Sequence, residues 1–165
     1  MSRSAGTLWR TAAALAVCLW TLGLLVLGAL VAPVIFRGLP ANEAADVMTV
    51  IFRRFDRVIL GCAAVVLACE GAAAYLDRPV PRAGRVRGAV AILLSALGGW
   101  HALHVSPGIA RLHASGAIRG LGEGGLALEA LHRQATTLAT AQLVLGIAYV
   151  ALLFFHGARG GRGGV

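Results

Sequence analysis

Apolar residues along the chain fall into four long runs, and the segment linking the first two has a periodicity of its own. Residues 11–36 are apolar throughout, which predicts one membrane span. From Ala44 onward the apolar positions are Ala44, Met48, Ile51, Phe52, Phe55 and Ile59, the spacing of one helix face. The opposite face carries Glu43, Asp46, Arg53, Arg54 and Arg57. A helix divided in this way, placed between two apolar runs, predicts an amphipathic segment lying in the membrane interface, with Asn42 capping its start. Further apolar runs at 58–76, 88–104 and 136–155 predict three more spans. The expected fold is therefore all-α: an integral membrane four-helix bundle, one domain over 1–156, with an interfacial amphipathic helix between spans one and two. The Arg- and Gly-rich residues 157–165 predict a disordered tail.

The breaks between runs follow from local chemistry. Ser106-Pro107 reads as the N-cap and first position of a short amphipathic piece reaching about Ile118. GLGEGG at 120–125 reads as a flexible break, after which a long helix starts near Leu126. Arg3 and Arg10 before the first run imitate a secretory leader. The run exceeds the ~7–15 residues of a cleavable apolar core, however, and Pro33 follows the candidate cleavage point at Ala32, so a retained span is expected. No internal repeat of fixed period is evident.

Composition sharpens this reading. The 165 residues are 58% hydrophobic and 13% charged, where a soluble domain carries about 25% charged residues. The net charge of +8 comes from arginines scattered between apolar runs, without interleaved aromatics. That distribution excludes a nucleic-acid surface and fits topology signals and contacts to anionic lipid headgroups. Four spans place the N-terminus, the 77–87 loop and the tail on one side, with four arginines packed into that loop. The positive-inside rule then puts both termini in the cytoplasm, most simply at a bacterial inner membrane. Cys18, Cys62 and Cys69 lie inside apolar runs and form no disulfide or zinc spacing.

Candidate chemistry is sparse. Glu70 is the one charged residue expected inside a span, and Cys18, Ser95 and Tyr149 fall at a comparable depth on the other helices. It serves either a proton- or cation-linked channel or transporter, or a hydrogen-bonded helix contact. His101 and His104, at i and i+3, share a face in a regular helix; with His132 they form a metal or haem candidate, and Gln142 falls near the depth of His101. Interfacial anchoring explains the same histidines, and no cofactor is expected. Ser95 lacks a positioned base, and no G-x-S-x-G or phosphate loop is present, so a catalytic role is not expected. Two lines of small residues, Ala64, Ala68 and Ala72, and Ala91, Ser95 and Gly99, predict close packing within the chain, between copies or in a larger membrane complex.

Ala32-Pro33-Val34-Ile35-Phe36 with Leu39-Pro40, followed by Phe52 and Phe55 and later by Leu131-His132, resembles the transmembrane protein 205-like family of small four-span proteins. That family shows an AP-x-x-F motif closing the first span and a Leu-His pair before the last. Where a serine commonly follows the histidine by three residues, this chain has Ala135. The resemblance implies the four-span architecture and supplies no reaction. The expected role is non-catalytic: structural, accessory or stress-related, with the lipid bilayer as the first partner.

Overall fold

The computed structural model describes residues 3–76 and 79–160, with side chains from residue 8 to residue 154 apart from 77 and 78. Every regular element among them is helical: α1 (Arg3–Val26), α2 (Ala32–Gly38), α3 (Ala41–Leu76), α4 (Arg82–Trp100), α5 (Ser106–Ala114) and α6 (Gly122–Gly160). Single π turns, Leu27–Val31 and His101–Val105, join α1 to α2 and α4 to α5 without a break. The result is four long rods, each apolar enough and long enough to cross a membrane.

The π turns explain why two prolines fail to end their helices. A proline inside a helix removes one backbone donor, and its ring collides with the carbonyl four residues earlier. Here the residue before each proline bonds five residues back, Ala32 N–H to the Leu27 carbonyl and Ser106 N–H to the His101 carbonyl. The widened turn absorbs the ring, and the rod continues. Ser106 is consequently helical rather than a cap, and the third rod runs unbroken to Ala114. The same pattern, Val-x-Pro-x-Ile-x-Arg, stands at Val31–Arg37 and at Val105–Arg111. The first and third rods thus carry the same π turn ahead of a proline, a local repeat too short to show as a fixed period.

A second difference concerns the amphipathic segment. Its predicted apolar face does turn inward, with Ala44, Met48 and Ile59 buried and Phe52 and Phe55 partly so, while Glu43, Asp46, Arg53, Arg54 and Arg57 are exposed. It is no separate element, because residues 41–76 form one unbroken 36-residue helix. At ~1.5 Å per residue that helix is ~54 Å long, beyond the ~30 Å of a hydrocarbon core, so its charged first turns extend past the apolar zone. Pro40, not Asn42, sits at the cap position: the Ala44 N–H bonds its carbonyl at 2.9 Å, and Asn42 lies within the first turn. The other rods also outrun the expected spans. α4 starts at Arg82, which takes Arg87 out of the expected loop, and α6 starts at Gly122 and continues over 157–160. The remaining tail residues, 161–165, and loop residues 77 and 78 lie outside the described residues.

The rods form a ring in the order α1, α3, α4, α6, with α6 closing against α1 and, among the described residues, no backbone approach across either diagonal. Trp20 fills the centre, fully buried, its ring lying where a β-carbon on Gly98 would stand and beside Ile59. Gly98 therefore needs to lack a side chain for α1 and α4 to meet through the indole. The outward faces are apolar, as with Leu15, Leu22 and Leu30 on the first rod and Val144 and Ile147 on the last, which is the surface a lipid solvent requires. Of the small-residue lines, Ala91 and Ser95 are buried and Gly99 half-buried, whereas Ala64 and Ala68 face outward.

Gly98→Ala drives a methyl group into the Trp20 ring and is expected to destabilise the bundle by about 1–3 kcal/mol through overpacking. Trp20→Leu in the same chain restores part of the loss by making room, as thermal unfolding in detergent will register.

Candidate functional site

Buried polar side chains gather at two levels of the bundle. Near the end that carries the α3–α4 turn, Glu70 on α3 faces Arg87 on α4 and Tyr149 on α6. The Arg87 Nε–H donates to Glu70 Oε1 at 2.7 Å and its Nη2–H to Oε2 at 3.1 Å. The Tyr149 hydroxyl donates to Oε1 at 2.6 Å. Side-chain exposure is 5% for Arg87 and 12% for Glu70, and Tyr149 is fully buried. A two-pronged guanidinium–carboxylate contact of this kind is among the strongest side-chain interactions and fixes orientation as well as distance. Here it ties three rods together. A cavity of about 330 Å³ opens beside it, lined by Arg10, Arg85, Val80, Pro81 and Ile92 together with the pair itself.

The second level surrounds Trp20. Its Nε1–H donates to Gln142 Oε1 at 3.0 Å, which links α1 to α6, and Gln142 is fully buried. Because the indole nitrogen can only donate, this bond fixes the Gln142 amide with its oxygen toward Trp20 and its nitrogen elsewhere. Asp56 on α3 is buried, with the Ser106 hydroxyl, His101 and Arg53 as its polar neighbours. Three polar atoms here have no partner: Ser95 Oγ, His101 Nδ1 and Gln142 Nε2.

The structure sorts the expected residues as follows. Of the neighbours proposed for Glu70, Tyr149 is a direct partner, Ser95 belongs to the other level, and Cys18 is half-buried with a free thiol. Glu70 is not the sole charge inside a span, since Arg87 and Asp56 are buried within the rods as well. His101 and His104 do not share a face, because the π turn alters the angular step between them: His101 is buried, and His104 is exposed and stacked on Trp100 with ring centroids 4.3 Å apart. His132 meets His113 edge to face at 5.9 Å, a contact between α6 and α5. Among the described residues no three His, Cys, Asp or Glu side chains converge as metal ligands. Ser95 Oγ, having no partner, has no base to activate it.

Sequence reasoning missed Arg87, Asp56, Ser106 and Trp20. A signal for Asp56 was present: it lies four residues after Phe52 and eight after Met48, hence on the inward face rather than among the exposed charges.

The sequence profile of a family described as Domain of unknown function (DUF4149) matches residues 15–117. The chain belongs to that family. The matched stretch runs from within α1 to just past α5 and includes Trp20, Asp56, Glu70, Arg87 and His101; Gln142 and Tyr149 lie beyond it. No curated protein and no solved structure matches the chain significantly.

Glu70→Ala removes the two-pronged partner of the buried Arg87 guanidinium and is expected to cost about 3–5 kcal/mol of unfolding free energy. The double variant Glu70→Leu/Arg87→Met removes both charges and recovers most of that loss in denaturant unfolding of the purified bundle.

Proposed function

We propose that this member of the DUF4149 family is a non-catalytic four-span membrane protein with a structural or accessory role, acting through its fold, its lipid contacts and its outward helix faces. The observation that carries the reading is the state of Glu70. Its two oxygens accept from Arg87 and Tyr149, which makes it a cross-brace between three rods whose negative charge is already matched by a buried guanidinium. The AP-x-x-F stretch of Ala32, Pro33 and Phe36, with Leu39 and Pro40, falls inside the matched region, and His132 falls outside it. That placement supports kinship to the transmembrane protein 205-like proteins through the first hairpin. The arginine-lined cavity beside the clamp favours anionic headgroups at that level of the bilayer.

A role carried by architecture survives loss of the charges when the fold survives. Glu70→Leu/Arg87→Met, once shown to fold, is expected to restore wild-type behaviour in cells deleted for the protein and to co-purify the same partners from native membranes. Loss of both with the fold intact contradicts the reading, as does turnover of any substrate by the purified chain alone.

The proposed orientation places both termini and the α3–α4 turn in the cytoplasm of a bacterial cell. Pro79→Cys is then expected to resist a membrane-impermeant thiol reagent in intact cells, and Leu121→Cys, exposed in the α5–α6 turn, to react. The background for both is a chain with Cys18, Cys62 and Cys69 replaced by alanine. The opposite labelling reverses the topology.

A further inference from the structure

The polar level around Trp20 is harder to account for by packing than the Glu70 clamp. Asp56, Ser95, His101, Ser106 and Gln142 are each more than nine-tenths buried, and they come from three rods. Their proximity follows from contacts already described. Gly98 touches both Trp20 and Ile59; Ser95 and His101 flank Gly98 by three residues on α4 and its continuation, and Asp56 precedes Ile59 by three on α3, so each is a near neighbour on the same helix surface. Gln142 is bonded to the indole itself. Within this neighbourhood Ser95 Oγ, His101 Nδ1 and Gln142 Nε2 have no protein partner. One orphaned buried atom is uncommon, and three from two rods, spread over ~9 Å of the axis about Trp20, point to occupants with hydrogen bonds to give.

The occupant's chemistry is set by the atoms facing it. Gln142 Nε2 can only donate in its fixed orientation, which opposes a bare cation, and the layer offers no unpaired positive charge for an anion. Water satisfies all three, since it donates and accepts alike. The charged and titratable groups acting on Asp56 are Arg53 from its own helix and His101 from the third rod, with the Ser106 hydroxyl beside it; α1 and α6 contribute the uncharged Trp20 and Gln142. Asp56 lies twenty residues from the Leu76 end of α3, ~30 Å along the axis, so the layer stands near the far edge of an apolar zone that begins at Leu76. Water reaches such a level over a short distance.

We propose that the layer around Trp20 is a hydrated internal proton-binding site, in which the buried Asp56 carboxylate, with His101 as its neighbour on the facing rod, takes up and releases the proton and Ser95 and Gln142 hold water. The Glu70 clamp takes no part. The inference goes beyond the accessory role proposed above, and its test uses different residues. It moves the protonatable centre of the chain from Glu70, where sequence reasoning placed it, to the level of Asp56.

Trp20 is a built-in reporter. In the full chain carrying Trp9→Phe and Trp100→Phe, reconstituted in phosphatidylcholine nanodiscs, Trp20 emission is expected to change with pH in one step. Asp56→Asn abolishes that step and His101→Gln displaces it. A flat profile, or a step indifferent to both substitutions, overturns the proposal. Ser95→Ala supplies a second, independent reading that does not require the Asp56 variant to fold. If the layer is hydrated, the substitution strips a partner from bound water and lowers the melting temperature. If the layer is dry, it relieves an unpaired hydroxyl and raises the melting temperature, which overturns the proposal.

Discussion

Polar bonds between rods, with the buried pair of Glu70 and Arg87 foremost among them, set the arrangement of this bundle, because lipid gives four apolar rods no hydrophobic reason to stay together. Their outward faces are as apolar as their contacts, and association in such a solvent rests on close packing and on polar bonds between helices. The guanidinium, the carboxylate and the Tyr149 hydroxyl bind α3, α4 and α6 at one level. At the other, Trp20 reaches across from α1 to lie on Gly98 of α4 and hydrogen-bonds Gln142 of α6. Each level spans a diagonal of the ring that the backbones leave open: α3 to α6 through Tyr149, and α1 to α4 through the indole. Removing either linkage exposes polar groups to an apolar interior, so each enforces the same arrangement of rods.

The two levels differ in how completely they are satisfied. Around Glu70 each hydrogen bond has a protein partner, and the geometry is that of a brace. Around Trp20 three atoms lack one. A membrane protein tolerates unsatisfied polar groups inside its apolar zone only at a cost of about 1–3 kcal/mol each, so incomplete satisfaction marks the layer in which something other than the chain takes part. The division of labour is thus between a level that holds the fold and a level that remains chemically open.

Much of the architecture was legible because hydropathy alone decides it. Four apolar runs became four rods, and the positions from Ala44 to Ile59 do share one helix face, although that face packs into the bundle as part of one long helix rather than belonging to a separate interfacial element. What escaped were features with no local signature. Pro33 and Pro107 look like helix ends, and only the π turns preceding them show that the rods continue. Arg87 stood in a run of arginines beside two prolines, where a solvent loop is the natural reading; the start of α4 at Arg82 places it more than one turn inside a helix and facing Glu70. His101 and His104 have a spacing that joins two ligands in a regular helix, and a π turn separates them. Asp56 was concealed by its company, three arginines within three residues, although its period matched the inward face. Long-range partners such as Gln142 for Trp20 are fixed by how the rods pack, which no stretch of sequence encodes alone.

The claim that polar bonds across the ring hold the rods in register is tested most directly by a double-mutant cycle between Glu70→Leu and Tyr149→Phe, read as unfolding free energy in one detergent. The account predicts a coupling of about 1–3 kcal/mol between two positions on helices whose backbones do not touch. Additive effects, equal within about 0.5 kcal/mol, would contradict it.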